Sequence, residues 1–160
     1  MLSEYVDVLV VRANRHTTVE ELAKYSTRPV INGLTDRAHP CQAMADLFTI
    51  RELAGTLRGR TLAWIGDGNN VACSLAIGCG KVGMKMVMAT PKGYRFDAPF
   101  MTRLNEIVPD LELTVTDDPK AAVRDAVAVY TDVWTSMGQE AEAEKRRRDF
   151  AGYQVNAQLM

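Results

Sequence analysis

Between residues 61 and 130, short apolar runs alternate with segments that carry helix caps or helical periodicity. Residues 61–65, 84–89, 111–115 and 126–130 read as strands, and 70–82, 99–107 and 119–125 as the helices between them. This alternation calls for parallel pairing through right-handed crossovers, which places helices on the faces of one sheet. The run Ala126-Val-Ala-Val-Tyr130 has no polar alternation, as a strand buried on both faces requires. Asp118 before Pro119 marks a helix start by both the cap and the first-turn rule. The expected fold class is therefore α/β, a doubly wound parallel sheet with flanking helices.

The residues before this block read differently. A strand over 6–11 ends at Arg12, a helix over 17–25 turns Leu22 and Tyr25 inward, and a short strand occupies 29–31. After a polar loop at 32–38, Pro40 opens a helix over 40–54 with Ala43, Leu47 and Ile50 at core spacing, and 55–60 end it. Two short strands are too few for a self-standing sheet. Residues 1–35 are therefore expected to be an incomplete N-terminal βαβ piece of another domain, 36–54 an inter-domain helix, and 55–160 the main domain. Residues 153–160 read as the start of one more helix, so the expectation is a chain truncated at both edges.

With 47% hydrophobic residues over 160 positions, the chain can bury a core. A net charge of −1 gives no footprint for nucleic acid or an anionic membrane. The one dense basic run, 145–148, follows Glu140, Glu142 and Glu144; spacing pairs Glu142 with Arg146 and Glu144 with Arg148, as on a solvated helix face. Cys41, Cys73 and Cys79 form no ligand-like cluster with His16 and His39, so neither a disulfide framework nor a metal site is expected. No basic leader and no window of roughly 18 apolar residues occurs, so the expected location is the cytoplasm, with no membrane partner.

Polar groups collect where strands end or helices begin, the edge at which parallel α/β sheets bind ligands. Arg12 ends the first strand and is suited to fork onto a phosphate or carbonyl oxygen; alone it is also an ordinary surface arginine. His39-Pro-Cys-Gln42 opens a helix, where free N–H groups and an imidazole can hold an electron-rich oxygen, or where Gln42 simply completes a cap. Gly66-Asp-Gly-Asn-Asn70 sits where a dinucleotide turn would, but Val71 replaces its third glycine and Ala89-Thr90 lacks the ribose-binding acid, which argues against nicotinamide. Its two amides, Asn69 and Asn70, could receive a carboxylate or cap the helix. Asp132-Val-Trp-Thr-Ser-Met-Gly-Gln-Glu140 follows the last strand; Ser136 and Gln139 fit a capping box, and Asp132 with Ser136 could hold something polar. Thr90-Pro-Lys-Gly-Tyr94 is a turn at the same edge, and Trp64 and Trp134 are expected in core or wall. Taken together, these groups describe an anionic, oxygen-rich ligand near Arg12 and His39 and an amino acid near Asn70 and Asp132. That is two-substrate transfer chemistry.

His39-Pro-Cys-Gln42, Trp64-Ile-Gly-Asp-Gly-Asn-Asn70, Ala89-Thr-Pro-Lys-Gly-Tyr94 and residues 132–140 resemble the ornithine carbamoyltransferase family, in order and at family spacing along nearly the whole chain. The Ser136-Met-Gly segment is similar to the ornithine enzymes rather than to their aspartate and putrescine relatives. The resemblance implies a carbamoyltransferase without metal or organic cofactor, taking carbamoyl phosphate and L-ornithine to L-citrulline and phosphate. It further implies arginine biosynthesis or the urea cycle as setting, and a homotrimer built largely through the N-terminal domain. By the same resemblance Arg12 and His39 are catalytic, polarising the carbonyl, and Gln42 joins them on carbamoyl phosphate. Asn70 would meet the ornithine carboxylate, Asp132 and Ser136 its α-ammonium, and Met137 would contribute through its backbone. The 160 residues contain neither the family's Ser-Thr-Arg-Thr-Arg phosphate loop nor its His-Cys-Leu-Pro segment, so weak or no catalysis by this chain alone is expected. The competing reading is a non-catalytic amino-acid-binding or regulatory module.

Overall fold

The computed structural model of the protein describes residues 2–136 and 139–160. Strands β1 (Leu9–Arg12) and β2 (Val30–Leu34) pair in parallel, with Val10 opposite Ile31, across the crossover helix α1 (His16–Tyr25). Helix α2 (Pro40–Ala54) leads from this two-stranded sheet to a four-stranded one: β3 (Thr61–Ile65), α3 (Asn70–Val82), β4 (Lys85–Ala89), α4 (Ala98–Ile107), β5 (Leu113–Thr116), α5 (Pro119–Val123) and β6 (Ala126–Thr131). A 3₁₀ turn (Glu140–Glu142) and α6 (Ala143–Asp149) follow.

All four strands are parallel, in the order β5-β4-β3-β6. The chain thus winds outward from β3 through β4 to β5, then returns through α5 to lay β6 on the free edge of β3. Between β3 and β6 the winding reverses, and a crevice opens at their C-terminal ends. The apolar run Leu62–Ile65 explains why β3 takes the centre: these residues are fully buried, since a strand covered on both faces leaves no position for a polar side chain.

One face of the sheet is closed by α3, α4 and the inner side of α2, around Trp64, Leu75, Met86, Met88 and Leu104, with Ala43, Leu47 and Ile50 from α2. The other is closed by α5 and the segment after α6, around Ile65, Ala89, Ala122, Phe150 and Tyr153. Gly80 lets α3 approach the end of α4, because a Cβ there would lie 2.6 Å from Val108 Cβ.

The expected α/β class holds, and the expected bounds of α2, β3 and α3 coincide with those observed. Other expectations need correcting. β1 begins at Leu9 rather than at residue 6, and β2 runs on to Leu34, so its pairing with β1 takes up the first part of the expected loop. Tyr25 is 77% exposed, and Val19 is the residue that α1 buries. Residues 153–160 form a single turn rather than the expected helix; the turn starts at Asn156, whose side chain accepts the Gln158 and Leu159 amides as a cap does, so 153–155 lie outside it. Among the described residues no helix is long and apolar enough to cross a membrane, and no three acidic, His or Cys side chains are grouped to hold a metal.

Candidate active site

The crevice between β3 and β6 widens into a cleft of about 990 Å³ that reaches across to β1 and the start of α2. Arg12, His39, Gln42, Asn70, Asp132 and Ser136, singled out separately in the sequence, all line it. Met137 lies outside the described residues.

On the α2 side, Arg12 leaves β1 exposed at the cleft edge. His39 caps α2; its backbone N–H donates to Ser74 Oγ at 2.8 Å, and Ser74 in turn donates to the Asn70 carbonyl at 2.9 Å. The His39 ring nitrogen Nδ1 is buried with no hydrogen-bond partner, a costly state for a polar atom outside a binding site. One turn into α2, Gln42 Nε2 donates to Asp46 Oδ1 at 2.8 Å. That bond fixes the amide so that its carbonyl oxygen is the group left to accept from a ligand. Burial, with hydrogen bonding and charge from nearby Asp46, pushes the Tyr130 hydroxyl in the same wall up to about 12, so it stays protonated.

On the opposite side, Asn69 caps α3 by accepting from the Val71 and Ala72 amides, both at 3.0 Å. Its Nδ2 donates to Asp132 Oδ2 at 2.9 Å, while Asp132 Oδ1 accepts the Val133 amide at 2.7 Å. Among the described residues no cation pairs with Asp132. Of the two amides expected to receive a carboxylate, Asn69 is the cap, and Asn70 Nδ2 donates to the Thr35 carbonyl at 2.7 Å. Asn70 therefore straps the loop before α2 to the start of α3. Thr35 is fully buried, and its hydroxyl also meets His16 Nδ1 at 2.8 Å.

Ser136 and Gln139 form one arm of the expected capping box: the Ser136 amide donates to Gln139 Oε1 at 3.1 Å, at the head of the 3₁₀ turn. Behind the α3 turn, the Gly68 amide donates to the Tyr94 carbonyl at 2.7 Å, and a Cβ on Gly68 would lie 2.8 Å from the Phe96 nitrogen. Only glycine fits this approach. Tyr94, from the Thr90–Tyr94 turn, lines the cleft as well.

The sequence reading missed a buried ion pair in the cleft wall. Arg146 is 7% exposed rather than on a solvated face; its Nη1 donates to Asp67 Oδ2 at 2.8 Å and to the Trp134 carbonyl at 3.1 Å, and its Nε to Glu142 at 3.2 Å. Glu142 does pair with Arg146 as spacing implied, whereas Glu144 takes Arg147, not Arg148. Burial raises the Asp67 carboxyl above its ordinary value, with the Arg146 hydrogen bond and charge opposing the rise. One signal was available in the sequence: Phe150 lies four residues after Arg146, on the same helical face, and is wholly buried.

Two family models match the chain: aspartate/ornithine carbamoyltransferase, Asp/Orn binding domain, over residues 58–160, and the carbamoyl-P binding domain of the same family over residues 1–52. The ornithine carbamoyltransferase of Bacillus subtilis (strain 168) is 53% identical over 162 residues, covering 100% of this chain and 51% of that protein. That of Methanosarcina acetivorans is 50% identical, covering 99% and 52%. Among solved structures, ornithine carbamoyltransferase from Pyrococcus furiosus superposes with a TM-score of 0.90 at 50% identity, over 99% of this chain and 51% of that one. The anabolic ornithine carbamoyltransferase from Campylobacter jejuni gives 0.88 at 33% identity, over 100% and 54%. The chain spans about half the length of the curated relatives it matches. With its greater part matched to the Asp/Orn-binding model and most of the rest to the carbamoyl-P-binding one, the chain belongs to the aspartate/ornithine carbamoyltransferase family.

Proposed function

We propose that the cleft serves transfer of a carbamoyl group from carbamoyl phosphate to the δ-amine of L-ornithine, giving L-citrulline and phosphate. The observation that carries this reading is the polarity of the cleft. One wall holds Arg12 and the N-terminus of α2, and the facing wall holds the Asp132 carboxylate, which pairs with no cation among the described residues. An anionic donor fits the first wall and an ammonium the second. The relatives named above are ornithine carbamoyltransferases, which favours ornithine over other amines.

In this reading Arg12 and His39 donate to the carbamoyl oxygen, and Gln42 accepts from the carbamoyl NH₂ group. The neutral δ-amine attacks the carbonyl carbon, and the oxygen becomes an anion held by donors already in place, usually the largest catalytic contribution. Collapse breaks the bond to the phosphate oxygen, and phosphate leaves as the amine loses a proton. Asp132 and Ser136 hold the α-ammonium, aided by the Met137 backbone, and Asn70 turns from Thr35 to the α-carboxylate. Anchoring the α-groups this way fixes the reacting atoms in reach of each other.

The same reading assigns 1–35 to the carbamoyl phosphate domain, 36–54 to the inter-domain helix and 55–160 to the ornithine domain. It places the protein in the cytoplasm, in arginine biosynthesis or the urea cycle, with no nucleic-acid or membrane partner; the homotrimer, built largely through the N-terminal domain, is assigned to the intact family and not to this chain alone. The 160 residues hold no arginine-rich phosphate loop, so by themselves they are expected to turn over slowly or not at all.

Calorimetry on the chain, with L-ornithine titrated alone and after carbamoyl phosphate, alongside a citrulline assay, tests this. Binding of ornithine that strengthens with carbamoyl phosphate and weakens in Asp132→Asn is expected. Ornithine binding indifferent to carbamoyl phosphate would instead mark an amino-acid-binding module, and no binding of either substrate would overturn the reading.

A further inference from the structure

We propose that Arg146 is a positioning and specificity residue for the amine-binding wall: it ties the 132–136 loop to the β3–α3 turn and neutralises Asp67, so that Asp132 is the carboxylate presented to an ammonium group. This rests on the ornithine reading above.

The geometry puts Arg146 at a junction of three segments. Its guanidinium donates to Asp67 in the β3–α3 turn, to the backbone carbonyl of Trp134 in the loop after β6, and to Glu142 at the head of its own helix. Planar, with donors in a fixed fork, it serves three acceptors in different directions at once; a lysine cannot hold the same set in one geometry. The Trp134 bond sits two residues after Asp132, so it fixes the main chain on which Asp132 is carried. Helix α6 has holds besides Arg146. Tyr94 OH donates to Asp149 at 2.7 Å and accepts from Lys145 at 3.0 Å, and Phe150 packs edge-on to Tyr94 and stacks on Trp134.

Chemistry supplies the second half. Asp67 and Asp132 both line the cleft, and L-ornithine carries two amines of which one must be a neutral nucleophile. An unpaired Asp67 would give this wall a second anionic point, which would keep the other amine as ammonium and would favour a diamine without a carboxylate. With Arg146 on Asp67 at 2.8 Å, that second point is cancelled.

Calorimetry with L-ornithine and putrescine as probes, plus hydrogen exchange of the amides at 133–136, tests the proposal on three variants whose folding is checked by circular dichroism. Arg146→Met is expected to bind L-ornithine about tenfold more weakly or worse, to shift the ornithine-to-putrescine preference toward putrescine, and to speed exchange in the loop. Arg146→Lys is expected to restore the preference but not the full affinity. Asp67→Asn combined with Arg146→Met, which leaves no buried charge unpaired, is expected to restore the preference while loop exchange stays fast. A folded Arg146→Met chain with unchanged preference and unchanged exchange overturns the proposal, as does equal loss of both ligands without faster exchange, the mark of a merely structural role. If the unaltered chain fails to bind L-ornithine at all, the ornithine reading itself falls, and the exchange arm still decides whether Arg146 holds the loop.

Discussion

Asn69 Nδ2 donates to Asp132 Oδ2 at 2.9 Å, so the residue that caps α3 also holds the carboxylate at the end of β6. The two elements flanking the switch point are thereby coupled through one side chain, whose carbonyl end serves the helix and whose amino end serves the cleft.

Replacing that side chain should therefore be felt twice. Asn69→Ala is expected to lower stability by about 1–2 kcal/mol through loss of the cap, read as a shifted urea midpoint. It should also weaken L-ornithine binding by freeing Asp132. Asn69→Asp keeps a capping oxygen but sets an acid against Asp132, so it should retain most stability while disturbing binding.

The pH dependence at Asp67 has a definite sign. Its folded value lies above the ordinary 3.8, mainly through burial, so folding favours the protonated acid. The contribution is fully present below the unfolded value and is lost as pH rises through the folded one. Urea midpoints measured from pH 3 upward are expected to show the native chain losing stability relative to Asp67→Asn across the window just above 3.8.

Packing at Gly80 makes a steric forecast. An added methyl would meet Val108, a β-branched residue that is 6% exposed, at 2.6 Å from its Cβ. Gly80→Ala should cost about 1–3 kcal/mol by overpacking, despite alanine's better helix propensity, and Gly80→Ala with Val108→Ala should recover part of that loss. Chemical denaturation of the single and double variants checks it.

Thiol labelling offers a test of burial. Burial pushes both Cys73 and Cys79 up to about 12, in Cys73 with added repulsion from Asp97 and Asp67. Neither forms much thiolate near neutrality, and the thiolate is the reactive form. Iodoacetamide at pH 8 should modify both slowly in the native chain and rapidly in guanidinium, followed by mass spectrometry.

The parts of this fold that could be read from the sequence are those with a strong local cause. Leu62–Ile65 is apolar at every position, Pro40 and Gly55 bracket α2, and Asn69 with Gly83 bracket α3; those three elements come out with the expected bounds. The convergence of Arg12, His39, Gln42, Asn70, Asp132 and Ser136 was legible for a related reason. Each sits at a strand or helix end, and a parallel sheet puts its strand ends on one edge.

Arg146 was not legible, because three glutamates within six residues offer a complete local account of its charge, while Asp67 stands 79 positions away. The second role of Asn70 was hidden likewise, since its partner is a backbone carbonyl that no residue type announces. The helix expected from residue 153 begins late, because the Asn156 side chain caps the turn that follows it and leaves 153–155 outside.

The strand order β5-β4-β3-β6 carries a consequence for how the chain is made. As the polypeptide emerges from the ribosome, β3 gains β4 early but keeps its other edge bare until residue 131 has appeared. That edge belongs to a strand apolar from Leu62 to Ile65 and is a template for pairing with another nascent copy. A slow stretch of translation between β5 and β6 should lengthen this window and raise aggregation without altering a single contact of the finished protein.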